Sequence, residues 1–443
     1  MKKIYSVLAM CVWGATASFA QWVPQSSNLP LGNTPDYIDA IDNMICWATS
    51  TNDGGQTVPS DQFCRTTDGG TTWVAGTIAD SNSSVAGLVS SCITAVDANN
   101  AWVSMWNTAG GTGKIMHTAD GGATWTHQAT AAYAGAAAFP NFVHFWDLNI
   151  GVTMGDPNGG YFEIYTTVDG GTTWTRVPTA NIPAELNGEF GIVNVFTTQG
   201  ASTIWFGTNV GRIYKSTDYG VTWTVATTPY AGIYIGSIAF KDANNGIAFS
   251  ADQTSVDDVI STNDGGATWT TIANATTGGL TFRNAACYVP GTPGTYIACS
   301  AGQTGGSLFS NDDGNTWNVI DADPHTDVEF TSDIDGFGGT LTQDGGSIYQ
   351  IYKWTGPVGI SEIANTTNAN VFPNPATDKI FVKTNNATQY EIVNVTGQSI
   401  AKQQIVYTGA NLTIDVRNLQ SGIYFLRLIQ NDGTLSTNKF VKQ

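Results

Sequence analysis

The chain is short of charge, of histidine and of helix-forming runs, and each shortage excludes something. Only 12% of its 443 residues are charged, against about 25% in an ordinary soluble domain. Lys and Arg number 17 against 35 Asp and Glu, a formal charge of −18. So few cations cannot neutralise a phosphate backbone, which excludes nucleic acid as a partner. Four scattered histidines and six cysteines without a C-x-x-C spacing give a zinc centre no support. A phosphate-cradling glycine loop, a G-x-S-x-G elbow and an H-E-x-x-H helix are all missing, and no cofactor or metal is expected. The long Ala/Glu/Lys/Leu stretches of a helical bundle are missing too. Beyond the N-terminus no apolar run is long enough for a transmembrane segment.

What is present is turn-forming and aromatic: 50 Gly, 14 Trp, 16 Tyr and 19 Phe. That composition predicts a large all-β protein with a sizeable core. Residues 1–20 read as a signal peptide. Lys2 and Lys3 precede an apolar run, and Ser18-Phe19-Ala20 places small residues before a cleavage site at Gln21. Five cysteines follow it. Cys46–Cys64 and Cys287–Cys299 are pairs that neighbouring strands could bridge, and the alternative is five small buried hydrophobes.

One octapeptide, Ser/Thr-x-Asp-x-Gly-x-Thr-Trp, recurs six times at a period of about 49 residues. Its Asp, second Gly and Trp are Asp68, Gly70 and Trp73; Asp120, Gly122 and Trp125; Asp169, Gly171 and Trp174; Asp218, Gly220 and Trp223; Asp264, Gly266 and Trp269; and Asp312, Gly314 and Trp317. Asp accepting backbone N–H bonds and Gly at positive φ make a turn, and Thr-Trp is expected to open the next strand. With an apolar strand, a turn and two further strands around it, each repeat reads as a four-stranded propeller blade. A seventh unit begins at Val328-Glu329-Phe330 and ends without a box, whereas Trp22-Val23-Pro24 looks like a strand that follows one. The N-terminal segment is therefore expected to complete a seventh blade. Residues 21–357 are predicted to form a seven-bladed β-propeller, with 358–370 a linker rich in Asn and Thr.

The octapeptide resembles the Asp-box, or bacterial neuraminidase repeat, of sialidases, xyloglucan-degrading glycoside hydrolases, sortilin-type receptors and the photosystem II assembly factor. Its DGGxTW form looks most like the assembly-factor and xyloglucanase branches. The resemblance implies a structural turn rather than a catalytic or metal-binding aspartate. The arginine cluster that a sialidase needs for its substrate carboxylate is missing, since the propeller region holds only Arg65, Arg176, Arg212 and Arg283. Asp321, Asp323 and Asp327 follow a calcium loop only loosely, without its Gly and closing Glu.

In a propeller the box turns lie on one face, and the remaining loops share the other. On that second face the candidate ligand residues are Tyr133, Asp156, Tyr161, Glu185, Glu189, Tyr230, Tyr234, Asp257 and Asp258. Carboxylates beside aromatic platforms suit a glycan or protein ligand.

Residues 371–443 contain about seven short strands and are predicted to form a small Ig-like β-sandwich. They resemble the type A C-terminal sorting domain of the type IX secretion system of Bacteroidetes. The matching residues include Pro373, Asn374 and Pro375, Gly397, Gly422, and Lys439 with Lys442. The resemblance implies recognition by the outer-membrane translocon and a secreted or surface-attached product. A non-catalytic binding or scaffolding module is the expected function. A glycoside hydrolase using two carboxylates of the ligand face is the alternative.

Overall fold

The computed structural model of the chain describes residues 21–52, 58–135, 138–251, 259–272, 285–301, 305–340, 350–356, 371–382, 387–394, 399–405, 412–430 and 435–443. The segments expected to be a signal peptide and a linker, 1–20 and 358–370, lie outside the described residues. Two compact units are present, Met1–Gly359 and Ile360–Gln443. Among the described residues the only helical element is a 3-10 turn at Thr179–Asn181.

The larger unit is built from seven antiparallel sheets. In the first, Asn33–Ala40, Cys46–Asn52, Gln62–Thr66 and Val74–Thr77 lie side by side in chain order. The second to sixth repeat this up-and-down order, beginning at Leu88–Ala95, Pro140–Phe145, Gly191–Gln199, Ile235–Phe240 and Ala285–Tyr288. The second carries an extra short strand, Ala134–Gly135. These first strands touch one another in succession, and the last, Val328–Phe330, touches Asn33–Ala40. The sheets therefore stand as blades around an axis lined by their first strands.

Burial explains the sequence of each strand. Where neighbouring blades cover both faces of a first strand, as at Leu88–Ala95 and Ile235–Phe240, it is buried at every residue and shows no alternation, whereas Gly191–Gln199 and Ala285–Tyr288 are mostly half-buried beside the axis. The outer strands, such as Thr175–Arg176, are exposed and polar.

The seventh sheet is composite. Gln21–Ser26 pairs antiparallel with Gln350–Thr355, Trp22 opposite Trp354, and forms the outer strand of a sheet that continues inward through Gly336–Gly338 to Val328–Phe330. Trp22 packs with Phe330 and Trp354 in one buried cluster. A lone outer edge is thereby paired rather than left open.

All five cysteines are free thiols. The register explains why the two candidate bridges are not made: Cys64 lies opposite Ala48 and Cys299 opposite Ala285, so neither pair is directly facing. Four of the five are buried, as small hydrophobes are.

The smaller unit has a three-stranded sheet, Val371–Phe372, Lys379–Val382 and Leu412–Asp415, and a four-stranded one. The latter runs Ser399–Gln404, Ala387–Asn394, Gly422–Gln430 and Leu435–Lys442. Alternate residues of both sheets, Ile380, Val382 and Ile414 from one and Ile392, Leu426 and Phe440 from the other, meet in a single core.

Candidate functional site

The six boxes are nearly superimposable in their hydrogen bonds. In the first, the Thr66 hydroxyl donates to Asp68 (2.9 Å) and accepts from Gly70 N–H (2.9 Å). Asp68 in turn accepts from the Thr72 amide (2.8 Å) and hydroxyl (2.7 Å). Asp120, Asp218, Asp264 and Asp312 repeat this set, and Asp169 shares its amide and hydroxyl bonds. Two bonds from Thr268 hold Asp264 down at about 2. Contrary to expectation, the Trp closes the turn and the outer strand starts one residue later, as at Val74 and Thr126. Every box Trp is buried.

The box glycines meet two demands. Gly122 has φ +86°, and a Cβ there would lie 2.1 Å from Phe63 of the preceding blade. Gly171 at φ +84° would meet Gln128 at 2.0 Å. Each is thus both a left-handed turn residue and a point where blades touch.

The opposite face brings several candidate residues together and removes others. Asp156, at the end of the strand Gly151–Pro157, accepts from Asn141 (2.8 Å) and from Gly191 N–H (3.1 Å), and burial pushes it up to about 6. Glu185, close enough to raise it further, is itself raised by burial and by Glu189. Tyr234 is 45% exposed and meets Phe190 edge-on at 5.5 Å. Tyr161 is partly exposed.

Three candidates are buried. Glu189 is buried in a 2.7 Å ion pair with Arg212, with Leu186 N–H on the same oxygen. Tyr133 is a core residue whose hydroxyl reaches Thr153 and the Glu163 carbonyl, and Tyr230 lies buried between blades. Both rings pack in clusters drawn from neighbouring sheets instead of facing solvent. Asp257 and Asp258 lie outside the described residues.

The axis holds functional-looking residues that, apart from Asp327, the sequence does not single out as a site. A cavity of about 300 Å³ is lined by the first strands, with Asp39, His144, Asn194, Ser237, Asp327 and Glu329 among its walls. Its carboxylates stitch blade to blade. Asp327 accepts from Ile38 N–H and from the Asn194 amide, Glu329 from Ala40 N–H, and Asp39 from Ala95 N–H. Burial raises Asp39 to about 6 and Asp327 to about 7, and holds Glu329 well above the usual carboxylate range. Among the described residues no cluster of three or more His, Cys, Asp or Glu could hold a metal.

In the smaller unit several matching residues converge on the last strand. Asn374 donates to the Lys439 carbonyl (3.1 Å) and accepts from Val441 N–H (2.9 Å), while Gly422 lies opposite Lys442. Pro373 and Pro375 flank Asn374, each after a cis bond. Gly397 lies outside the described residues.

Comparison with known proteins follows the same division. Residues 370–443 match the family described as secretion system C-terminal sorting domain. Residues 93–236 match the family described as photosynthesis system II assembly factor YCF48. No curated protein sequence matches the chain significantly. A solved structure described as YCF48 bound to D1 peptide is 15% identical with a TM-score of 0.52, covering 76% of this chain and 98% of that one. The GH74 enzyme of Niastella koreensis is 15% identical (TM-score 0.50; 94% of this chain, 73% of that one), and the GH74 xyloglucanase of Xanthomonas campestris is 12% identical (TM-score 0.50; 94% and 69%). At these identities the likeness is one of fold, a β-propeller. The sorting domain marks the chain for type IX export, to secretion or attachment at the cell surface. Among the described residues no helix is long and apolar enough to cross a membrane.

Proposed function

We propose that the exported propeller is a non-catalytic binding module that holds a glycan or an extended peptide on the face opposite its boxes. The observation carrying this reading is how the charged groups of that face are occupied. Glu189 is paired with Arg212, and Asp156 is held by Asn141 and a backbone N–H. Such carboxylates position loops; the partly exposed Tyr161, Phe190 and Tyr234 with Glu185 are left to touch a ligand. The box residues are turn formers in this proposal, and the translocon is the partner of the tail. One solved neighbour is described as bound to a peptide, which is consistent with a propeller of this kind acting by binding.

One observation favours the hydrolase reading. Asp156, raised to about 6 beside Glu185, is poised as a general acid would be. Incubating the exported protein with xyloglucan, other β-glucans and sialosides separates the two. Retention of a glycan or peptide on an array without new reducing ends is the expected result. Release of reducing ends that Asp156→Asn abolishes would replace this proposal with the hydrolase.

A further inference from the structure

The seven blades share one register position that shows where the ring departs from its own pattern. There the second and third strands set a cross-strand pair against the next blade: Trp47–Arg65, Trp102–His117, Val152–Thr166, Trp205–Lys215, Ile247–Ser261, Ile297–Phe309 and Phe337–Lys353. Four of these stack a basic side chain on an aromatic ring, Arg65 at 5.2 Å, Lys215 at 5.3 Å, Lys353 at 3.8 Å and His117 at 4.5 Å. Arg65 then reaches across to the Gly121 and Ala98 carbonyls of the second blade. Beside Val152 the rings of Trp146 and Tyr219 meet edge-on instead, and beside Ile297 the pair itself supplies Phe309.

Between the fifth and sixth blades, Ile247 and Ser261 fill far less. The cation that belongs there comes from another strand end: Lys241 reaches Asp313 (2.5 Å) and the Pro293 carbonyl (3.4 Å), the positions equivalent to Gly121 and Ala98. The interface is also the loosest at its box glycine. A Cβ on Gly314 would find its nearest neighbour, Ile247, at 3.4 Å, whereas the other five box glycines would meet an atom at 2.0–3.1 Å. The result is a cleft of about 280 Å³ on the box side.

We infer that this cleft is a second binding site, for a single neutral sugar ring. Its volume sits at the small end of ligand sites, roughly 300 Å³ and upward, which suits one ring rather than a chain. Ile247 and Ile272 offer a flat apolar wall for a C–H face, and Ser261, Asn263, Thr270 and Asn315 supply uncharged donors and acceptors. The one ion pair at the rim, Lys241–Asp313, is self-neutralising. An ionic ligand would therefore find no uncompensated partner. The site lies on the face opposite the loops discussed above and stands or falls independently of them.

The test uses the whole exported chain and five probes, D-glucose, D-galactose, D-mannose, D-xylose and N-acetyl-D-glucosamine, each at about 10 mM, a concentration that occupies most of a millimolar site. Saturation-transfer NMR should show at least one of them bound. Ile247→Trp with Ser261→Lys, which rebuilds the pair of the fourth blade, should lose that signal while keeping the parent's circular dichroism. Should the double variant not fold, Asn263→Ala on an exposed turn should weaken binding at least threefold. Leu31→Ser, at an exposed position outside the cleft, should leave it unchanged. Absence of transfer from all five sugars overturns the inference. So does a signal that survives in the folded double variant, or one that Asn263→Ala leaves intact.

Discussion

Glu189 and Arg212 show how a single side chain can be indispensable here. Both are buried, and the second carboxylate oxygen of Glu189 has no hydrogen-bond partner. Arg212→Met would leave a buried, uncompensated carboxylate, a loss of about 3–5 kcal/mol. Urea denaturation should show it, with Glu189→Gln in the same chain restoring part; a loss under about 1 kcal/mol would mean that water reaches the carboxylate. Asp327 gives a prediction in pH. Burial places it at about 7, against an unfolded value near 3.9. Between these the folded chain keeps a proton that the unfolded chain releases, so Asp327 costs stability as pH rises from about 4 through 7. Asp327→Asn should therefore gain on the parent between pH 5 and pH 8, and parallel melting curves would refute the shift. The box aspartates run the other way. With Asp264 held at about 2, its contribution is complete above about 4 and is lost as pH falls towards 2. These aspartates were legible because their partners lie within four residues. Ser or Thr opens the pattern in all six copies, but the pattern alone does not tell that its hydroxyl bridges the Asp and the Gly N–H. Asp39 and Glu329 gave no sign, because what they bind lies 56 and 289 residues away.

Among the elements, the outer strand of the seventh sheet is the most exposed to a simple test. Its position was legible from Trp22-Val23-Pro24, which repeats the way a chain leaves a box, and the structure pairs it with Gln350–Thr355. Removing Gln21–Pro30 takes Trp22 and Leu29 out of two buried clusters, and the expected result is a melting temperature lower by several degrees or more. An unchanged melting curve would show that the ring does not depend on the strand. The loops of the opposite face were legible in position but not in direction. Tyr133 and Tyr234 both stand in such loops, yet one fills a wedge between blades and the other is 45% exposed. The ring of Tyr133 packs with Trp102, Val143 and Tyr165, partners that no local pattern in its loop announces.

For the whole molecule, charge is divided along the chain. Residues 21–370 carry −23 and residues 371–443 carry +3, so an acidic ring is joined to a mildly basic sandwich. Deleting 371–443 should leave the propeller folded but held in the periplasm, read by fractionation and immunoblot; undiminished delivery to the surface would refute the role of the tail. The sandwich itself was legible from its turn spacing, because seven short strands leave little else to build. The composite sheet has a last consequence, which concerns time. The strand Gln21–Ser26 precedes every other described element, but its partner Gln350–Thr355 follows all six boxes. Blades made of neighbouring strands can form early, while this pairing must wait until the entire ring has been delivered, the most distant contact being the slowest to find. Until that pairing forms, the outer edge of Gln350–Thr355 stays open, and closing it is the contact the topology delays most.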